Sequence, residues 1–293
     1  MMVQMPIKRP SLLRAVYHSL PPSVAKISKR TFWAARSLRD QRLKPQLFGE
    51  KASLVPPLYL MEDGPRDYKE FKRNGIDTFQ RFVSLGLRPA DKILDIGSGI
   101  GRKTLPLLDY LTTGTYDGID PIAKQVKWCQ EKITPRYPNF RFQQIDVWSK
   151  WYNPSGTVQP SEYRFPFEAA QFDFVMLGSV FTHMFPNDVD HYLGEISRVL
   201  KPGGKGWVTF LLLNKDSETA IADKTSTIDL AYEVGQGSRA DNPNRMESAI
   251  GHQEQLVRQM FAKHNIQADV AEYGSWCGRQ ASSYQDVFKI LKR

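Results

Sequence analysis

Residues 93–102 read Ile93-Leu94-Asp95-Ile96-Gly97-Ser98-Gly99-Ile100-Gly101-Arg102. Lys92–Ile96 has the apolar run of a buried strand, glycines end it, and Arg102–Leu111 has helical spacing. A strand that closes on spaced glycines and opens a helix lets a ligand approach the backbone with no Cβ in the way and helix N–H groups facing it. Arg102 excludes one tenant. A nicotinamide fingerprint, G-x-G-x-x-G/A, needs Gly or Ala where Arg102 stands. The pattern here is D-x-G-x-G-x-G, with Asp95 ahead of Gly97, Gly99 and Gly101.

Outward from this turn the chain alternates strands and helices. A helix over about 66–83 precedes it. Strands are expected at Tyr116–Ile119, Phe140–Ile145, Phe172–Leu177 and Lys205–Leu213, with helices at Ile122–Ile133, Asn187–Leu200 and 249–263. Two closing strands, Gln267–Glu272 and Gln285–Leu291, are expected to pair antiparallel at the edge. This alternation predicts an α/β fold, a Rossmann-like doubly wound sheet covered on both faces. Two stretches break the rhythm, near 148–166 and 214–248. They follow the third and fifth strands, on the sheet edge where such folds bind ligands, and read as insertions or lids.

Two further acids fall at strand ends. Asp120 closes the second strand, where a carboxylate can accept both hydroxyls of a ribose. Asp146 follows the third, with Val147 beside it as an apolar wall for an adenine. Each acid alone could be a helix cap; three at successive strand tips point to a nucleoside site.

Composition bounds the rest. The chain has 293 residues, 41% hydrophobic and 24% charged, enough for one large domain with extensions. Cys129 and Cys277 stand far apart with no metal spacing around them, which excludes a disulfide scaffold and fits a reducing, cytoplasmic setting. The net charge of +9 sits entirely in residues 1–51, where eleven Lys/Arg face Asp40 and Glu50. The remaining 29 basic and 29 acidic residues cancel, which argues against a nucleic-acid partner. Residues 1–55 thus read as a basic helical leader and 56–293 as the domain. Apolar positions at 12–20 and 24–38 recur at helical spacing with Lys and Arg opposite. Three readings stay open for residues 1–51: peripheral contact with an anionic membrane, an organelle transit segment, or helices that cover the domain.

The chain resembles the class I S-adenosylmethionine-dependent methyltransferases over about residues 65–293. The resemblance rests on Asp95-Ile-Gly97-Ser-Gly99-Ile-Gly101, Asp120, Asp146, Phe172-Asp173-Phe174-Val175-Met176-Leu177 and Arg198-Val-Leu-Lys-Pro-Gly-Gly204. It implies a seven-stranded sheet with a reversed last hairpin and S-adenosyl-L-methionine as the methyl donor. By that resemblance Gly97, Ser98, Gly99 and Gly101 approach the methionine and ribose part, Asp120 the ribose, and Asp146 with Val147 the adenine. Asp95 orients the turn or meets the donor's ammonium group. A finer resemblance, to bacterial-type small-molecule and sugar O-methyltransferases, rests on Tyr152-Asn-Pro-Ser-Gly156, Tyr163-Arg-Phe-Pro166, Ser179-Val-Phe-Thr-His183-Met184 and Gly274-Ser-Trp-Cys-Gly-Arg279.

These features lead to an expected methyltransferase acting on an oxygen of a small molecule or saccharide. His183, just past the fourth strand, is the candidate base, because imidazole titrates near neutrality; its alternative is a cap or packing residue of the next helix. Tyr152, Tyr163 and Arg164 are candidates for shaping the acceptor pocket or packing their own insertion. No Asp/Asn-Pro-Pro-Tyr/Phe follows the fourth strand and no Pro-Cys occurs, which argues against base methylation at adenine nitrogen or cytosine carbon. No metal-binding set is expected. An RNA or protein methyltransferase tethered by the leader, or a donor-binding scaffold without catalysis, are the alternatives.

Overall fold

The computed structural model describes residues 42–61, 65 and 67–293. The two leader helices read within 12–38, and the membrane, transit or covering role assigned to them, lie outside the described residues. The chain divides into two compact units, up to Phe71 and from Lys72 onward. In the first, 3-10 turns span Gly49–Leu54 and Leu58–Leu60, and Phe48 packs edge-on against Tyr68 and Phe71. A helix spans Tyr68–Ser84.

The second unit is built on β1 (Lys92–Ile96), β2 (Thr115–Asp120), β3 (Phe140–Gln144), β4 (Phe172–Leu177), β5 (Leu200–Phe210), β10 (Ile266–Glu272) and β11 (Asp286–Lys292). They form a seven-stranded sheet in the order β10-β11-β5-β4-β1-β2-β3. β1 runs parallel to β2 and β4, and β2–β3 and β4–β5 are also parallel. β11 lies antiparallel between β5 and β10, the reversed hairpin expected from the sequence. Central strands read as nearly unbroken apolar runs because both faces are covered: Ile93, Leu94, Phe174, Val175 and Leu177 have no exposed surface. Helices Ala123–Lys132, Pro186–Val199 and Glu254–Lys263 supply the cover. Phe210 ties the layers, stacking on Phe181 at 4.8 Å and meeting Phe288 edge-on at 5.8 Å.

Register positions the site. Ile96 pairs with Ile119 on one side and Leu177 on the other, so β1, β2 and β4 end level. The strand order reverses between β1 and β4, which opens a crevice at those tips.

Several elements differ from their sequence reading. The helix expected over Arg102–Leu111 is one regular turn, Thr104–Leu107. The N–H groups of Tyr110 and Leu111 both converge on Leu107 O, each at 3.0 Å, and this tightening ends it. The fifth strand breaks at Leu211. Leu211 O accepts His252 N–H, and Leu212 N–H goes to the Asp286 carboxylate at 2.7 Å, so the chain leaves one sheet and enters another. That second sheet joins β6 (Leu212–Leu213), β7 (Tyr232–Gly235), β8 (Ser238–Ala240) and β9 (Ile250–Gln253) in the order β6-β9-β8-β7. Helical periodicity over 249–263 therefore covers a strand followed by a helix. Periodicity assigns nothing in 214–248, yet that segment holds a helix, Lys215–Ala222, capped by Asn214, and two strands.

Two buried groups secure this second layer. Asp286, with no exposed surface, accepts from Leu212 N–H, Gly274 N–H and Trp276 Nε1–H, all at 2.7 Å. His252 in β9 donates Nε2–H to Phe181 O at 3.1 Å and accepts from the Ser238 hydroxyl at 2.8 Å. Burial pushes His252 down to about 4, with the Phe181 bond acting the other way. In the unfolded chain its pKa returns to about 6.5, so between these values the unfolded state binds a proton that the folded state refuses. Stability from this group therefore falls as pH drops through that window, by about 3 kcal/mol in all. Asp120, described below, has the opposite sign in an overlapping range, so the difference between wild type and His252→Gln isolates the effect. Urea midpoints should show the wild-type advantage shrinking by about that amount from about pH 7 to about pH 4. A gap that does not change with pH would contradict the assignment.

Candidate functional site

Gly97, Gly99 and Gly101 have φ of +75°, +55° and +77°, a region that disfavours any side chain. At Gly97 a Cβ would also lie 2.4 Å from Val180 Cγ2. The alternating glycines thus encode a tight left-handed bend, and at Gly97 the clash with Val180 leaves no room for a side chain. Gly97 N–H and Ser98 N–H both point to Ile119 O, at 2.9 and 3.1 Å, which fastens the bend to β2. Ser98 Oγ is buried without a hydrogen-bond partner among the described residues.

Asp120 holds the bend from its other end. Its Oδ2 accepts Gly99 N–H and its Oδ1 accepts Ile122 N–H, both at 2.8 Å. Burial raises this carboxyl to about 6, against the pull of the two N–H donors. Each oxygen keeps a lone pair beyond these bonds, so the group can accept further hydroxyl donors.

Asp95 is placed differently. It is fully buried; Oδ2 accepts the Tyr116 hydroxyl at 2.6 Å and Oδ1 lies 2.7 Å from Lys103 Nζ. Burial raises its pKa, opposed chiefly by Lys103. Lys103, itself 6% exposed, also donates to Gly97 O at 3.0 Å. The pair locks the strand tip to the turn from beneath.

Asp146 lies two residues past the end of β3 and accepts both the N–H (3.0 Å) and the hydroxyl of Thr157. Val147 is buried, and its carbonyl takes the Asn153 amide at 3.0 Å. The first insertion thus folds back onto the tip of β3.

β4 ends at a strained point. Ser179 has φ +60°, uncommon for a side-chain-bearing residue. Its N–H donates to Thr209 Oγ1 at 2.8 Å, and the Thr209 hydroxyl donates to Gln285 Oε1 at 2.6 Å. The bend leads into a 3-10 turn, Phe181–His183. His183 is half-buried, with Nδ1 2.8 Å from Glu247 O and its ring edge-on to Tyr152 at 5.7 Å. A carbonyl only accepts, so Nδ1 carries the proton and in the neutral ring Nε2 is the basic nitrogen. Both insertions therefore meet at His183, Tyr152 from the first and Glu247 from the second. The Arg245 guanidinium lies 4.3 Å over the Trp151 ring, a further contact between them. Burial and the nearby Asp188 raise the Glu247 carboxyl. Tyr163 is half-buried and near enough to Asp146 to feel its charge, and Arg164 is exposed. Among the described residues no three His, Cys, Asp or Glu side chains gather as a metal site.

Residues 94–208 match the family described as "Methyltransferase domain". The matched stretch is similar to methyltransferase domains and spans less than half of the chain. The chain is similar to sterol 24-C-methyltransferase erg6 of Schizosaccharomyces pombe, 27% identical over 153 residues, covering 52% of this chain and 36% of that enzyme. It is also similar to the highly reducing polyketide synthase FUM1 of Gibberella moniliformis, 29% identical over 150 residues, 49% of this chain and 5% of the synthase. The chain thus spans well under two thirds of either relative. In fold it is similar to the PH0226 protein of Pyrococcus horikoshii, with a TM-score of 0.53 and 18% identity over 83% of this chain and 98% of that one.

Lys103, Tyr116, Glu247 and the Thr209–Gln285 pair are the parts of the candidate site that sequence reasoning misses. None has a signature in one sequence, and only the β1–β2 register reveals that Tyr116 reaches Asp95. Lys103→Met should lower stability by about 3–5 kcal/mol, because it strands the buried Asp95 charge. Denaturant unfolding measures it, and a loss under about 1 kcal/mol would mean the pair is not buried as described.

Proposed function

We propose that this chain transfers the methyl group of S-adenosyl-L-methionine to an oxygen of a small-molecule or saccharide acceptor. The observation that carries the reading is the left-handed glycine bend closed by Asp120. A Cβ at Gly97 would collide with Val180, so the bend keeps bare backbone there, and the Asp120 carboxylate retains capacity for two vicinal hydroxyls. Bound there, the donor would supply an electrophilic methyl carbon on a sulfonium, from which an acceptor oxygen attacking in line would displace the neutral thioether, the C–S bond breaking as the O–C bond forms.

The protein's own work is positioning and proton handling. Gly97, Ser98, Gly99 and Gly101 admit the donor's amino-acid and ribose part against bare backbone. Asp120 accepts the ribose hydroxyls, and Asp146 with Val147 borders the adenine. Asp95, engaged by Lys103 and Tyr116, orients the turn and leaves the donor's ammonium to other groups. His183 takes the acceptor's hydroxyl proton on Nε2 as the oxygen–methyl bond forms. Tyr152, with the two insertions around it, encloses the acceptor. A hydroxyl acceptor suits this arrangement because an alcohol must shed its proton during transfer, and the imidazole of His183 donates Nδ1–H to Glu247 O, which leaves Nε2 to receive it.

Calorimetry tests the donor site. Asp120→Ala should weaken S-adenosyl-L-methionine at least tenfold, as expected for charge-assisted hydrogen bonds. Because the ionised carboxylate is the better acceptor, wild-type affinity should rise as pH climbs through about 6, where Asp120 ionises. A pH-independent affinity would remove Asp120 from the ribose. His183→Ala should cut turnover by about 10²–10⁴ while donor affinity stays within about twofold. Labelled donor incubated with fractionated cell extract, followed by identification of the labelled product as a small molecule, glycan, lipid, RNA or protein, decides the acceptor class.

A further inference from the structure

Two hydrogen bonds run between the second sheet with its connecting turn and the 3-10 turn Phe181–His183. His252 donates Nε2–H to Phe181 O at 3.1 Å, and His183 donates Nδ1–H to Glu247 O at 2.8 Å. Glu247 lies in the 3-10 turn Met246–Ser248, between β8 and β9. His252 has 1% exposure, and the Ser238 hydroxyl supplies the proton to its Nδ1, so both of its nitrogens are assigned in the neutral ring. The Met246–Ser248 turn is tied in turn by the Ser248 hydroxyl to the Asp241 carboxylate. One sheet thus grips the backbone at one end of the catalytic turn and the imidazole at the other.

We infer that this second sheet sets the tautomer of His183, holding Nδ1 protonated so that Nε2 carries the lone pair, with His252, Ser238 and Ser248 as positioning residues. The inference rests on the proposed role of His183 as base. Its physical basis is that the hydrogen bond made by one imidazole nitrogen decides which nitrogen is basic. An imidazole facing water instead samples both tautomers and favours the one with the proton on Nε2, which cannot receive another there. A carbonyl fixed by a sheet removes that choice. The 3-10 turn has too few internal bonds to do so itself: His183 N–H reaches Val180 O at 2.9 Å, while Thr182 Oγ1 is buried without a partner among the described residues.

Heteronuclear NMR of the imidazole nitrogens in the full ligand-free chain, at a pH where the rings are neutral, tests this. The His183 signals are identified by their loss in His183→Ala. Wild type should show His183 with Nδ1 protonated and Nε2 unprotonated. Ser248→Ala and His252→Leu should both move these shifts toward the tautomer average, and His252→Gln, which keeps a donor for Phe181 O, should restore the wild-type pattern. Should His252→Leu fail to fold, Ser248→Ala decides alone, since that turn is partly exposed and holds no core side chain. A wild type already at the average, or an unchanged pattern in Ser248→Ala, overturns the inference. Labelled methyl transfer separates it from the proposed function. Full turnover in His183→Ala rejects the base while the NMR still judges the positioning; lost turnover in His183→Ala with unchanged shifts and turnover in Ser248→Ala rejects the positioning and keeps the base.

Discussion

The convergence of two backbone donors on one carbonyl, Gly97 and Ser98 on Ile119 O, is the contact on which the rest of the site depends. It forms only because β1 and β2 end in register and because Gly97 turns into the left-handed region at once. From it follow the position of Gly99 N–H over Asp120, the level of the β4 tip, and the crevice between β1 and β4. A buried acid with a raised pKa is the electrostatic cost of this arrangement, and a ligand that brings hydroxyl donors would offset it.

Around that contact the protein places its charges by depth. Asp95 and Lys103 are sealed under the turn and neutralise each other; Asp120 stands at the crevice, held by two backbone N–H donors and feeling the Lys103 charge; Asp146 is drawn outward to Thr157. The three acids, alike on paper as strand-end carboxylates, therefore have three environments. Depth, rather than sequence position, separates the carboxylate that locks the turn from those nearer the surface.

Much of this was legible in the chain. Apolar runs located β1 to β4 to within a residue, because strands buried on both faces need such runs, while β5 starts five residues earlier than its expected Lys205; the glycine spacing located the bend because its φ values admit little else. The second sheet was not legible. Its strands are two to four residues long, too short for a period to register, and its anchors are single polar groups, Asp286 and His252, which reach Leu212 and Phe181 far along the chain. Helical spacing over 249–263 failed for a related reason: four residues of strand at the start of a helix leave no break in an apolar count. Glu247 escaped notice because it meets His183 through its backbone carbonyl, which carries no residue-type signal.

The passage between the two sheets is a single residue, Leu211. Side chains on a strand alternate faces, so a joint of that length fixes the phase of one sheet against the other. One added residue there would turn Leu212 and Leu213 outward and detach Asp286 from its backbone donor at 212. The exposed turn at Asn242–Arg245 bears no such constraint. Variation in chain length should therefore accumulate at that turn, while the joint at 211 keeps its count.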